Sequence, residues 1–229
     1  MKKQNPFRLL TRFEWALWLS SLALTVVSFF AFGSEDYLTL CASLIGATAL
    51  IFTAKGHVLG QVLIVVFAVF YGIISFHFRY YGEMLTYLGM SAPIAVASLI
   101  SWIRHPFKES NEVEVAHVSR RQILPMLVAT ACVTVVFYFI LGALGNANLI
   151  ASTVSVATSF LAAYLTFLRS PYYALAYAAN DVVLIFLWVF ASFADVSYIP
   201  MVVCFVMFLV NDLYGFYNWL KMEKNQKNL

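Results

Sequence analysis

Residues 198–221 read YIPMVVCFVMFLVNDLYGFYNWLK. The stretch is apolar over the length a helix needs to cross a bilayer, roughly 20 residues for about 30 Å of hydrocarbon. Asn211 and Asp212 nevertheless sit near its middle. Polar groups at that depth are costly unless they face protein or water, so this span is expected to line an internal site.

The rest of the chain has the same character. Hydrophobic residues make up 62% of it, aromatic residues 17% and charged residues only 11%, with a mean hydropathy of +0.84; soluble domains carry about 25% charged residues. The composition is that of an integral membrane protein, and 229 residues are expected to hold one bundle of seven or eight spans without a separate soluble domain. The net charge of +3 falls in loops and implies no nucleic-acid partner. Cys41, Cys132 and Cys204 lie inside apolar runs without CxxC or metal spacing, and are read as small core residues.

A bilayer forbids unpaired backbone, so each long apolar run is predicted to be a helix. Eight runs are visible, at 13–32, 36–54, 58–78, 84–103, 122–144, 148–168, 172–194 and 198–220. The first follows four basic residues as a signal peptide would, but its apolar core exceeds the usual 7–15 residues, so it is read as a retained helix. With a cytoplasmic amino terminus, the inner loops receive Lys2, Lys3, Arg8, Arg12, Lys55, Arg104, Lys108, Arg120, Arg121, Arg169, Lys221, Lys224 and Lys227, and the outer loops only Arg79. That bias predicts both termini inside. The hydrophilic segment from Arg104 to Arg121 then joins two halves on the cytoplasmic side.

The halves resemble one another. Leu24-Thr25-Val26-Val27 before Phe30 and Gly33 matches Val133-Thr134-Val135-Val136 before Phe139 and Gly142; Lys55 corresponds to Arg169, and Trp102-Ile103-Arg104 to Trp219-Leu220-Lys221. Units of an even number of spans keep the same orientation, which predicts a parallel repeat about an axis along the membrane normal, with substrate bound at the midplane where the halves meet.

Asn180-Asp181 in the seventh run repeats Asn211-Asp212 in the eighth, both roughly 13 Å from the cytoplasmic end. Such pairs serve either as hydrogen-bonding glue between helices or as a site. Two at one depth favour a site, with Asn180 and Asn211 offering amides to substrate. Tyr173, Tyr177 and Asn180 share a helical face, as do Asn211 and Tyr214. Rings beside carboxamides suit a flat ligand rich in hydrogen-bonding groups, such as a nucleoside. In the first half the pathway would draw on Gln61 and Tyr71, with Tyr80 and Glu83 at the outer mouth and Pro93 kinking the fourth run. Asp181, Asp212 and Trp188 are further pathway candidates. Trp15, Trp18, Trp102 and Trp219 fall where interfacial tryptophan belts are expected. No HExxH, GxSxG, Walker loop or histidine cluster is present, so neither catalysis nor a bound metal or cofactor is predicted.

Several of these residues carry a family resemblance. Lys55-Gly56, Gln61, Tyr71-Gly72, Tyr80-Tyr81-Gly82-Glu83, Pro93 and Ser101-Trp102-Ile103-Arg104-His105 resemble the first half of PnuC-type nicotinamide riboside transporters, and Asn211-Asp212-Leu213-Tyr214-Gly215-Phe216 with Trp219 and Lys221 resembles their carboxy-terminal signature. The resemblance implies an all-α membrane fold similar to SWEET sugar transporters. It would comprise an amino-terminal tail and extra helix (1–35), a first three-helix bundle (36–103), a linker and linker helix (104–147), a second bundle (148–221) and a tail (222–229).

It further implies a homotrimer in the bacterial cytoplasmic membrane that carries nicotinamide riboside by facilitated diffusion with alternating access, the product being trapped by a cytosolic nucleoside kinase. The implied cage is Gln61, Tyr71, Asn180, Asn211 and Tyr214. Carriage of a deoxynucleoside, thiamine or riboflavin, with or without proton coupling through Asp181 or Asp212, is the alternative within transport. A membrane-embedded enzyme or receptor is the alternative outside it.

Overall fold

A computed structural model describes residues 5–33, 35–77, 81–108, 110, 112–146 and 148–228, the side chain of His77 aside. Apolar stretches whose backbone groups have no water to bond must satisfy them internally, and these form helices throughout. They are α1 (Arg12–Ala31), α2 (Tyr37–Ala54), α3 (Val58–His77), α4 (Tyr81–Arg104), α5 (Arg120–Ala143), α6 (Leu149–Phe167), α7 (Tyr172–Ser192) and α8 (Ile199–Lys227). All eight are long and apolar enough to cross a membrane, in agreement with the eight runs read from the sequence.

Polar residues set where the helices begin. Thr11 and Glu14 form a reciprocal capping box at α1, Ser119 and Gln122 another at α5, and the Asp36 carboxylate accepts from the Thr39 N–H at α2. Each satisfies N–H groups that a first helical turn leaves free.

Helix α3 packs against both α2 and α4, and α7 against both α6 and α8. The two groups meet reciprocally: the first helix of one packs on the last of the other, α2 on α8 and α4 on α6. Helix α1 lies against α2 and α8, and α5 packs chiefly on α6. Along that seam Phe137 and Leu141 of α5 meet Val156 and Phe160 of α6 and Met90 of α4. The opposite side of α5, with Leu124, Val128 and Phe139, is exposed for lipid.

At the end carrying Lys55, Arg104 and Arg169, which we call the basic end, α2 and α6 stop in the same way. Gly56 has φ +63° and the His57 N–H bonds to the Phe52 carbonyl at 2.9 Å; Arg169 has φ +59° and the Ser170 N–H bonds to the Leu165 carbonyl at 3.0 Å. A left-handed residue closed by a bond across the last turn is the standard way for a helix to satisfy its orphan carbonyls. Arg169 thus takes the place of Gly56, one residue on from Lys55. The α4–α5 connection ties the two turns together: the Val113 N–H bonds to the Gly56 carbonyl at 2.9 Å and the Ala116 N–H to the Arg169 carbonyl at 3.0 Å.

Three expectations need correction. Trp102 and Trp219 are not members of an interfacial belt: both are 0% exposed, because they plug the junction of the two helix groups. Cys41 and Cys132 are exposed, and only Cys204 is buried; in a bilayer an outward face is as apolar as a core, so apolar context does not mark burial. Pro93 is exposed on the outer surface of α4. The irregularity lies just before it, in the π-helical segment Leu85–Ser91, where the Ala92 N–H reaches back five residues to the Tyr87 carbonyl. A proline donates no bond to the turn before it, and a widened turn of this kind re-satisfies the carbonyls it leaves.

Candidate functional site

Small residues open a cavity of about 140 Å³ between the two groups. Ser91, Ala95 and Ser98 line it from α4, and Ser159, Ala163 and Thr166 from α6, each set spaced i, i+4, i+7 along one face. Side chains this short keep the reciprocal α4–α6 contact from filling the centre. Phe67, Tyr87, Tyr177, Phe205 and Phe208 add ring faces and edges.

Several of the cavity's buried polar atoms are without partners. Gln61, on the first turn of α3, is 1% exposed, and neither its Nε2 nor its Oε1 makes a hydrogen bond. Ser98 Oγ, Thr53 Oγ1 and Asp181 Oδ2 are also buried without a bond. Buried polar atoms are nearly always paired, so such a group around an internal space is fit for a hydroxyl- or amide-bearing occupant. Asn180 is held by hydroxyls of α6: Ser155 Oγ and Thr158 Oγ1 both lie 2.9 Å from its Oδ1, which leaves its amide nitrogen for the cavity. Next to it, Asp181 and Asp212 bring two carboxyls within hydrogen-bonding reach across the α7–α8 seam.

A path leads away from the basic end. A chamber of about 260 Å³ shares Tyr87, Ser91, Asn180 and Phe205 with the central cavity, and another of about 380 Å³ shares Tyr71, Glu83 and Trp188 with that chamber and opens among Glu35, Asp36 and Ser197. Tyr71 packs at a tilt against Tyr87 with ring centroids 4.5 Å apart, and Trp188 likewise against Tyr198 at 5.5 Å. Ser75 Oγ lies 3.5 Å from the Glu83 carboxylate on the same wall.

Toward the basic end the cavity is closed. The Trp102 indole N–H donates to the Thr166 carbonyl at 3.0 Å, and that of Trp219 to the Thr53 carbonyl at 2.9 Å, with the two rings 5.3 Å apart. Tyr173 packs edge-on against Trp219 at 4.9 Å. A pocket of about 460 Å³ beyond this plug, lined by Glu14, Lys55, Tyr214 and Lys221, shares no lining residue with the cavity.

The candidate residues therefore divide. Gln61, Tyr177, Asn180, Asp181 and Asp212 line the cavity, while Tyr71, Glu83 and Trp188 line the approach. Pro93 lines neither, and Tyr80 lies outside the described residues. Asn211 and Tyr214 do not join the cage. Asn211 donates from Nδ2 to Ser21 Oγ of α1 at 2.9 Å and to the Met207 carbonyl at 2.7 Å, and its Oδ1 is buried without a bond; the Tyr214 hydroxyl donates to Glu14 at 2.6 Å. Successive helical residues point about 100° apart, so turning Asp212 to the cavity turns Asn211 to α1.

Glu14, which the sequence reading passed over, is fully buried in this inner contact and pairs with Lys55 at 3.3 Å. Thr53, Ser98, Ser159 and Thr166 were passed over as well. For Ser98, Ser159 and Thr166 the signal was the seven-residue spacing of hydroxyls on α4 and α6; Thr53 on α2 had none.

A sequence model described as nicotinamide mononucleotide transporter matches residues 36–221. The chain belongs to this transporter family. It is 28% identical over 227 residues to a nicotinamide riboside transporter PnuC of Neisseria mucosa, covering 97% of this chain and 86% of the relative. To the PnuC of Haemophilus influenzae it is 22% identical over 210 residues, with 91% and 90% covered. A solved structure described as the vitamin B3 transporter PnuC superposes with a TM-score of 0.79 at 27% identity, covering 95% of this chain and 94% of that one. With eight membrane-capable helices of its own, the chain is a multi-pass membrane transporter of the family.

Proposed function

We propose that the protein carries nicotinamide riboside across the bacterial cytoplasmic membrane, taking it up in the cavity between the two helix groups. One observation favours the riboside over the mononucleotide for which the family is named. Among the described residues that line the cavity there is no Lys, Arg or His, whereas Asp181 and Asp212 both face it. A phosphate monoester carries a charge of about −1.5 to −2 at neutral pH and would lose its hydration beside two acids with no cation to meet it. A riboside carries hydroxyls and a carboxamide, for which Gln61, Ser98 and the Asn180 amide offer complementary groups. Tyr177, Tyr87 and Phe208 supply ring faces.

Transport would proceed by alternating access without chemical conversion of the cargo. The approach past Tyr71, Glu83 and Trp188 would be open on one side while the tryptophan plug is closed on the other. The clustering of basic loop residues supports placing the plug and both termini in the cytoplasm. The reciprocal α2–α8 and α4–α6 contacts support a parallel, SWEET-like repeat. A homotrimer, and one-way uptake through phosphorylation by a cytosolic kinase, belong to the same proposal and rest on the family resemblance. Asn211 and Tyr214 are assigned to holding α1 in place.

Uptake of labelled ligand into proteoliposomes tests the reading. Nicotinamide riboside should accumulate to equilibrium and nicotinamide mononucleotide should not enter. Equal entry of the mononucleotide, or no riboside flux, would overturn it.

A further inference from the structure

Asp181 and Asp212 stand out from the rest of the cavity wall. Each is 4% exposed, they come from neighbouring helices, and their carboxyls lie within hydrogen-bonding reach. Two acids so placed repel one another when ionised; a proton held between them or a positive charge beside them lowers that cost. Among the described residues no cationic side chain lines the cavity to supply it. A second, independent feature points to an occupant at the same place: the buried Gln61 amide faces the cavity with neither of its polar atoms bonded. Tyr177 and Phe208 contribute aromatic walls, whose faces attract cations.

Resting on the assignment of a riboside to this cavity, we propose that Asp181 and Asp212 act as the counter-charge for a permanently positive aromatic ring, so that the site selects flat cationic nucleosides over neutral ones of the same shape. An N-glycosylated pyridine has a quaternary ring nitrogen and no proton to lose, so its charge persists at every pH and cannot be shed on entering a low-dielectric site. A neutral ring would gain nothing from the negative charge of the pair, whereas the cation would. The aromatic box and hydroxyl contacts would fit either ligand, so discrimination falls to the two carboxyls.

The test is equilibrium binding of two ligands to the full-length protein in detergent: nicotinamide riboside, and its carbon-linked isostere in which a neutral benzene ring replaces the pyridinium. The wild type should bind the cation about tenfold or more tighter. In Asp181→Asn and Asp212→Asn, which keep the shape and remove a charge, the two affinities should converge to within about threefold. If the wild type binds both ligands alike, the carboxyls do not read charge and the inference fails while the transport reading stands. If it binds neither, both fail. Should the variants not fold, the wild-type ratio alone decides.

Discussion

Trp102 and Trp219 lie with ring centroids 5.3 Å apart, and each donates its indole N–H across the junction, to the carbonyls of Thr166 and Thr53 respectively. Each accepting carbonyl also takes the N–H of the left-handed residue that ends its own helix, Arg169 for Thr166 and Gly56 for Thr53. The last helix of each group is thereby latched to the terminal turn of the other's first helix. A buried hydrogen bond contributes about 1 kcal/mol net, so removing one should shift the closed end toward opening about fivefold. Trp102→Phe and Trp219→Phe should therefore let a thiol reagent reach a cysteine placed at Ser98 from the basic-end side several-fold faster than in the protein with both tryptophans. Unchanged labelling would show that these bonds do not hold the seal.

Gln61 should trade stability for binding. Its amide is buried with no partner, and burying such a group costs about 1–3 kcal/mol. Gln61→Leu should raise the melting temperature while weakening nicotinamide riboside about tenfold or more, as read by thermal unfolding and calorimetric titration. A variant that is less stable and binds normally would show that the amide serves packing.

Asn180 and Asn211 look equivalent in sequence and should behave differently. Asn180→Ala removes an amide that lines the cavity and should lower affinity about tenfold. Asn211→Leu removes the tie to Ser21 and Met207, at a stability cost of roughly 1 kcal/mol, with affinity held within about twofold. Parallel binding and melting curves for the two variants separate these outcomes.

Arg169 sits in a left-handed turn that its counterpart fills with Gly56, and a non-glycine residue there costs about 1 kcal/mol. Its contact with Glu114 is long, at 3.9 Å, and Glu114 is more than half exposed, so little is lost with it. Arg169→Gly should stabilise the protein by about 1 kcal/mol. Gly56→Ala should do the opposite, since it strains the same turn and places a methyl 2.5 Å from Met222 Cε. Denaturation midpoints measure both.

The eight helices were legible because hydrocarbon permits few other structures, so length and hydropathy nearly suffice. The common level of the polar residues along their helices was legible as well: Asn180, Asp181 and Asp212 line one cavity. Facing was not. On a helix that is apolar on every side, neither moment nor pattern says which of two adjacent polar residues turns inward, and Asn211 was assigned to the cavity when α1 holds it. The tryptophans failed for a related reason: a tryptophan near a helix end suits a lipid interface or a buried latch equally. The repeated Trp-x-Arg of α4 and Trp-x-Lys of α8 carried the distinction, through the reciprocal contacts that only the packed structure displays.

The site assignment is tested most directly by a structure of the protein with nicotinamide riboside bound. Ligand density should fill the space between Gln61 and Asn180, with the pyridinium ring beside Asp181 and Asp212 and the tryptophan plug below it. Density confined to the outer chambers near Glu83 and Trp188, or to the inner pocket at Glu14 and Lys55, would contradict the account.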